Sequence, residues 1–161
     1  MFETFNVPGI FIGNQAVLAL AASWTTRTVG NFDLTGTVID VGDSTTYIVP
    51  IANGHIISSS IQQLPVGGRD VTTYVQELMR EGRETVPQGI ASDLAKMVKE
   101  NYAYTCSDII KEFAKFESNP EKYTRTYDFT GNTGNQVHSG TVSYERFLAP
   151  EVILNPNVSI R

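Results

Sequence analysis

The chain has 161 residues, 12 Lys+Arg against 17 Asp+Glu for a net charge of −5, 41% hydrophobic residues and a single cysteine. That describes one or two soluble domains: too apolar for disorder, without a cysteine pair to bridge, and too acidic for general binding to nucleic acid or anionic lipid. No apolar run approaches the roughly 18–20 residues of a membrane span, and Phe2-Glu3-Thr4 lacks the basic start of a signal peptide, so the expected compartment is reducing and cytoplasmic.

Phe2 to Ile10 is short and broken by Pro8. From Gln15 to Ser23 the residues are strong helix formers with four alanines and no polar face beyond Gln15, which predicts a buried helix capped by Asn14 or the residue before it. Trp24 to Leu34 is a polar connection with a Gly30-Asn31 turn signal. The period then changes. Thr37-Val38-Ile39, Thr46-Tyr47-Ile48-Val49 and His55-Ile56-Ile57 are β-branched runs separated by Asp40-Val41-Gly42-Asp43-Ser44 and by Ala52-Asn53-Gly54, the pattern of a three-stranded antiparallel meander. One helix before so small a sheet leaves a face short of partners.

Asp70 is placed to cap a helix in which Val71, Tyr74, Val75, Leu78 and Met79 form one apolar stripe ending near Gly82. A second helix follows Pro87, with Ile90, Leu94, Met97, Val98 and Tyr102 on one side. Ser107 is placed to cap a third, carrying Ile109, Ile110, Phe113 and Phe116, which Pro120 ends. Tyr123 to Phe129 and Val137 to Tyr144 flank a turn-rich loop and predict a hairpin, and Leu148 to Arg161 is irregular or a short helix. Helix, meander, three helices and hairpin, in that order, indicate an α/β or α+β fold in two layers.

The most chemical segment is Asp40-Val41-Gly42-Asp43-Ser44-Thr45-Thr46. A glycine in a tight turn exposes backbone N–H groups to phosphate oxygens, and nearby carboxylates suit a hydrated Mg²⁺; the same residues also make an ordinary hairpin turn. Gln15, polar at the start of an apolar helix, is able to orient a water for attack on a phosphate or simply to face solvent. Lys99 and Glu100 are able to bracket a base or ribose, or to belong to a solvated helix face. Cys106, His55 and His138 have no metal-ligand or nucleophile spacing. Lys96, Lys99, Lys111, Lys115 and Lys122 are interspersed with acids and form no basic patch.

Met1-Phe2-Glu3-Thr4-Phe5-Asn6-Val7-Pro8, then Gln15 to Ser23, then Gly67-Gly68-Arg69-Asp70, and last Tyr144-Glu145-Arg146-Phe147 with Pro150-Glu151 together resemble the actin superfamily in the right order. Ala21-Ala22-Ser23-Trp24-Thr25-Thr26-Arg27, the longer connection before Leu34-Thr35-Gly36-Thr37-Val38-Ile39-Asp40, and Phe147-Leu148 resemble its actin-related members more than conventional actin. The resemblance runs through nearly the whole chain, and the chain covers well under half of a family member. It implies part of an actin-like ATPase fold, the ribonuclease H-like architecture shared with heat-shock chaperones and hexokinase. Residues 1–33 would end the first large subdomain and carry its hinge helix. Residues 34–66 would open the sheet of the second, 67–152 would form the small helical subdomain, and 153–161 a return segment.

By position, the resemblance makes Asp40, Gly42, Asp43 and Ser44 a phosphate-binding hairpin, with Asp40 near the waters of Mg²⁺. It puts Gln15 on the glutamine that positions the attacking water, Lys99 and Glu100 beside the adenosine of ATP, and Gly68 near the ribose. It implies a cytoskeletal ATP-binding protein that joins actin and a second actin-related protein in a multi-subunit nucleating complex, with ATP as a conformational ligand and weak ATPase activity. In isolation this chain is expected to be inactive and to self-associate through open strand edges. Three residues depart from the family hairpin: Val41 replaces a hydroxyl, Ser44 a glycine and Tyr47 a histidine. A serine at a position that wants positive φ would be strained by roughly 1 kcal/mol or more.

Overall fold

The computed structural model describes residues 1–24, 34–82, 86–131 and 137–158. The expected Gly30-Asn31 turn, and most of the loop between the two C-terminal strands, lie outside the described residues. The chain divides into two compact units, Met1–Pro65 and Val66–Arg161.

In the first unit a short helix α1 (Phe2–Phe5) precedes α2 (Gln15–Trp24). Asn14 caps α2, its Oδ1 accepting from the Ala16 N–H at 3.0 Å, which satisfies one donor that a helix start leaves unpaired. The sheet follows, with β1 (Gly36–Val41) and β2 (Thr46–Ala52) antiparallel and joined through six residue pairs from Gly36↔Ile51 to Val41↔Thr46. Ala16 of α2 packs on Val49 and Ile51, with Val17, Leu20, Val38 and Ile56 around them. Burial of α2 is therefore one-sided, and Leu18 is 53% exposed. The sequence expectation of a buried helix is corrected: among the described residues of this unit the apolar cluster packed on α2 comes from the sheet, on one side of the helix.

The third lane of the meander is not one strand. Asn53 (φ 50°) and Gly54 (φ 78°) make the tight turn their types predict, and β3 (His55–Ile56) pairs with Ile51 and Ala52. It then breaks into a 3₁₀ turn at Ser58–Ser60 before β4 (Gln62–Leu64) pairs with Thr46 to Ile48. Pro50 accounts for the break. Its carbonyl accepts from the Ile57 N–H at 3.0 Å. In an antiparallel ladder a residue's N–H and C=O point the same way, so the donor that proline lacks is missing on this side and not on the β1 side. The sheet face opposite α2 leaves Ile39, Val41 and Leu64 exposed, as the small sheet led one to expect.

In the second unit α3 (Gly68–Glu81) and α4 (Gln88–Tyr102) pack stripe to stripe: Val71, Val75, Leu78 and Met79 against Leu94, Ala95 and Val98. Asp70 does not cap α3 from in front. It is the third residue of the helix, and its Oδ2 reaches back to the Gly67 N–H at 2.8 Å, so the helix starts earlier than expected. Likewise Asp108, not Ser107, caps α5 (Ile109–Ser118), accepting from the Lys111 N–H at 3.1 Å. Ile110 falls on the solvent side of α5, 78% exposed, while Phe113 and Phe116 face inward.

Pro120 opens a separate turn, α6 (Pro120–Tyr123). The hairpin is β5 (Arg125–Thr130) with β6 (Val137–Val142), burying Tyr127 and Val142. Two one-turn helices, α7 (Glu145–Leu148) and α8 (Glu151–Leu154), close the unit. Phe147, 1% exposed, stands among Tyr104, Phe113, Phe116 and Tyr123 at ring separations of 5.0–6.5 Å. Among the described residues no helix is long and apolar enough to cross a membrane.

Candidate functional site

Two pairs of the residues singled out in the sequence meet, one in each unit. In the first unit Gln15 opens α2 and Asp40 stands one residue before the end of β1, on the strand face that carries Val38 and faces α2. The Gln15 Nε2 donates to Asp40 Oδ2 at 2.9 Å. Burial of Ala16 against Val49 and Ile51 brings Gln15 to this end of the strand. An ionised carboxylate only accepts, so the amide must turn its nitrogen toward Asp40 and its carbonyl oxygen away.

Beyond Asp40 the chain turns through Gly42-Asp43-Ser44-Thr45, closed by the Gly42 N–H donating to the Thr45 carbonyl at 3.0 Å. A Cβ on Gly42 would lie 2.9 Å from that carbonyl oxygen, so the tight turn requires glycine there. Ser44 is different. Asn6 and Asn53 are the positive-φ residues other than glycine among those described, so the expected strain at Ser44 is corrected: its backbone is in a region open to any L residue. Asp43 and Ser44 are exposed at the turn tip. Tyr47 stands across from Asp40 in the ladder and Val41 across from Thr46.

This arrangement offers one carboxylate already oriented by an amide, a second carboxylate and a hydroxyl within four residues, and a turn of backbone groups. Among the described residues no three His, Cys, Asp or Glu side chains converge as a metal cage. Such a donor set suits Mg²⁺, which keeps its waters and takes further oxygens from a ligand's phosphates.

In the second unit the Lys99 Nζ donates to the Gly68 carbonyl at 3.0 Å, across 31 residues, joining α4 to the first turn of α3. Glu100, next on α4, is exposed. A cavity of about 210 Å³ lies between the same two helices, but Gln76, Met79, Arg80, Val86, Gln88, Ala91 and Leu94 line it, and none of the predicted site residues does.

Two features of this unit were not signalled by residue type alone. Arg146 donates from Nε to the Tyr102 carbonyl at 3.0 Å and from Nη1 to the Tyr123 carbonyl at 2.6 Å, with its guanidinium 5.1 Å from the centre of the Tyr104 ring. Glu145, buried, accepts from the Ser143 N–H at 2.7 Å. Burial and the hydrogen bond to Glu112 push the Tyr104 hydroxyl up to about 12, while the Lys115 ammonium holds Glu112 below the usual carboxylate range.

Cys106 is a bystander. Burial pushes its thiol pKa up, and the carboxylates of Glu112 and Glu151 push it further. A raised pKa means less thiolate at pH 8. Labelling by an aromatic disulfide at that pH is expected to run several-fold slower on the folded chain than on the urea-unfolded chain; an equal or faster rate would show an activated thiol.

Against known proteins, the family model described as Actin matches residues 1–161. The chain is 49% identical over 159 residues to actin-related protein 3 of Dictyostelium discoideum, covering 99% of this chain and 38% of that protein. It is 49% identical over 152 residues to actin-related protein 3 of Acanthamoeba castellanii, covering 94% of the chain and 36% of the relative. With actin-related protein 3C of Homo sapiens it shares 47% over 156 residues, 97% of the chain and 74% of the relative. The chain thus spans little more than a third of the length of the two amoebal relatives.

Proposed function

The chain belongs to the actin family, in the branch that resembles actin-related protein 3, and from that premise we propose that it is the central portion of an ATP-binding subunit of a branched-actin nucleating complex. The observation that carries the reading is the identity over nearly the whole chain to actin-related protein 3 of two amoebae, 49%, and to human actin-related protein 3C, 47%. ATP with Mg²⁺ acts here as a conformational ligand, favouring one state of the whole protein by binding it better than the other. The partners are actin and a second actin-related protein in a cytoplasmic, cytoskeletal assembly.

Residue by residue, Asp40 takes the waters of Mg²⁺, and Gly42, Asp43 and Ser44 contact the phosphates. Gly68 and Lys99, already bonded to each other, serve ribose and adenosine with Glu100. Gln15 positions water wherever hydrolysis occurs. The bond from Gln15 to Asp40 supports this reading, because it brings together two residues 25 apart to which the resemblance gives neighbouring roles. The subdomain boundaries proposed are 1–33, 34–66, 67–152 and 153–161.

A second reading, a divergent actin-like ATPase or assembly factor outside that complex, is favoured by Val41, Ser44 and Tyr47 at hairpin positions where the family carries a hydroxyl, a glycine and a histidine. Affinity capture of the whole protein from its own cells, with partners identified by mass spectrometry, separates the two. Near-stoichiometric recovery of a second actin-related protein with further subunits is expected. Recovery without it would sink the nucleation reading and leave the divergent hairpin as the guide.

A further inference from the structure

The lining of the cavity of about 210 Å³ between α3 and α4 divides by chemistry. Met79 and Leu94, 4% and 1% exposed, belong to the core of the second unit, and Val86 packs against that core; with Ala91 they form an apolar floor. Gln76, Arg80 and Gln88 supply the polar part. Gln76 and Arg80 are four apart on α3 and so share one face, while Gln88 opens α4. Ala91 accounts for the space. It sits one turn before Leu94, and its single methyl leaves unfilled the volume that a longer side chain on that face of α4 would take.

The Arg80 guanidinium has no hydrogen-bond acceptor and no ion-pair partner among the described residues, whereas those of Arg125 and Arg146 are bonded to backbone carbonyls. Glu77 and Glu81 lie on the same helix, but neither lines the cavity, and no other carboxylate among the described residues does. An apolar space with a cation at its rim and no anion suits a molecule with an apolar body and one negative head. We propose that this cavity binds a small aromatic carboxylate, its ring on Met79, Ala91 and Leu94 and its two oxygens on the Arg80 fork, with the Gln76 and Gln88 amides beside them. The planar guanidinium matches a carboxylate bidentately. A dry cavity of about 150 Å³ admits benzene, so the larger volume here holds a six-membered ring with a short acid arm. The Met79 thioether makes favourable contacts with aromatic rings. Such a ligand touches both helices and fastens α3 to α4, the pair that the Lys99 to Gly68 bond also joins. The inference goes beyond the nucleotide reading and does not depend on it.

The test follows the Met79 methyl signal by NMR in the full chain, labelled at its methionine methyl groups, with Met79→Leu identifying the signal. Phenylacetate is the probe and 2-phenylethanol its neutral counterpart of similar shape. A ligand of about ten non-hydrogen atoms should bind with a Kd on the order of 0.1–1 mM and shift the signal saturably. The alcohol should bind at least about fivefold more weakly, for want of the charged pair. Arg80→Gln should bring acid and alcohol within about twofold of each other, and Ala91→Leu, which fills the space, should abolish the shift with either. Arg80 is exposed, so its variant keeps the packing and carries the test even if Ala91→Leu disturbs the helix pair. The absence of a saturable shift up to about 10 mM phenylacetate overturns the proposal. So does equal binding of acid and alcohol by the unsubstituted chain, which marks an apolar gap without an acid site. Full preference for the acid in Arg80→Gln, or undiminished binding in a folded Ala91→Leu, likewise overturns it by placing the ligand elsewhere. Each of these results leaves the nucleotide reading standing.

Discussion

Phe147→Ala is expected to lower the stability of the second unit by about 3–5 kcal/mol, the cost of deleting a fully enclosed aromatic ring where neighbours collapse only in part. Phe147 is 1% exposed and takes an edge-on contact from Phe113 at 5.0 Å, with Tyr104, Phe116 and Tyr123 completing the ring of neighbours. Those residues come from α5, from α6 and from the segment after α4, so the cavity would loosen three elements at once. A domain of ordinary size has about 5–15 kcal/mol in hand, and a urea midpoint lower by about 1 M or more is the expected readout. A shift below about 0.5 M would show that the aromatic ring closes over the gap and that its specific geometry matters little. Phe147→Leu, which refills much of the volume, should recover over half of the loss.

How much of this was legible in the sequence depends on how far each effect reaches along the chain. The stripes of α3 and α4 were readable because burial there repeats at helical spacing, and every stripe position named for α3 is buried or partly buried. The Asn53-Gly54 turn was readable because positive φ at both residues is a local demand. Pro50 was different. Its effect depends on which neighbouring strand its missing N–H would have faced, and no period in the sequence carries that, so the split of the third lane into β3 and β4 went unforeseen.

Caps slipped for a related reason. Asp70 and Asp108 bond from their actual positions to N–H groups three residues away in opposite directions, and composition alone does not fix the direction. Of the candidate site, the residue types at Gln15, Asp40, Lys99 and Gly68 were evident, but the partners were not: the two bonds cross 25 and 31 residues. The supposed strain at Ser44 came from matching a residue type to a family position, and the backbone there takes a conformation that needs no glycine.

Arg146 is where residue type was least informative, since its partners are backbone carbonyls, which every residue has. Its guanidinium joins the end of α4 at the Tyr102 carbonyl to the end of α6 at the Tyr123 carbonyl while stacking on Tyr104, and its own carbonyl accepts from the Tyr104 N–H at 2.9 Å. Burial disfavours its charge, the direction of its lowered pKa, yet guanidinium stays protonated in proteins, so the cost of desolvation is offset by these contacts. Arg146→Met is expected to destabilise the unit by about 2–3 kcal/mol, through two carbonyls left without a charged donor.

Arg146→Lys should recover little of that. An ammonium on a flexible stem does not fork to two carbonyls on different elements and stack on a ring at the same time. Chemical denaturation of the wild type and both variants checks this, and a lysine variant with wild-type stability would show that charge alone suffices at this position. Because Arg146 and Phe147 share Tyr104 as a neighbour, the Arg146→Met, Phe147→Ala double variant should lose less than the sum of the two single losses. Strict additivity would mean that the guanidinium and the aromatic cluster are separate supports. The Tyr144-Glu145-Arg146-Phe147 run that marked the family resemblance would then owe its composition to two independent packing demands, whereas sub-additive loss would make it one keystone of the helical unit.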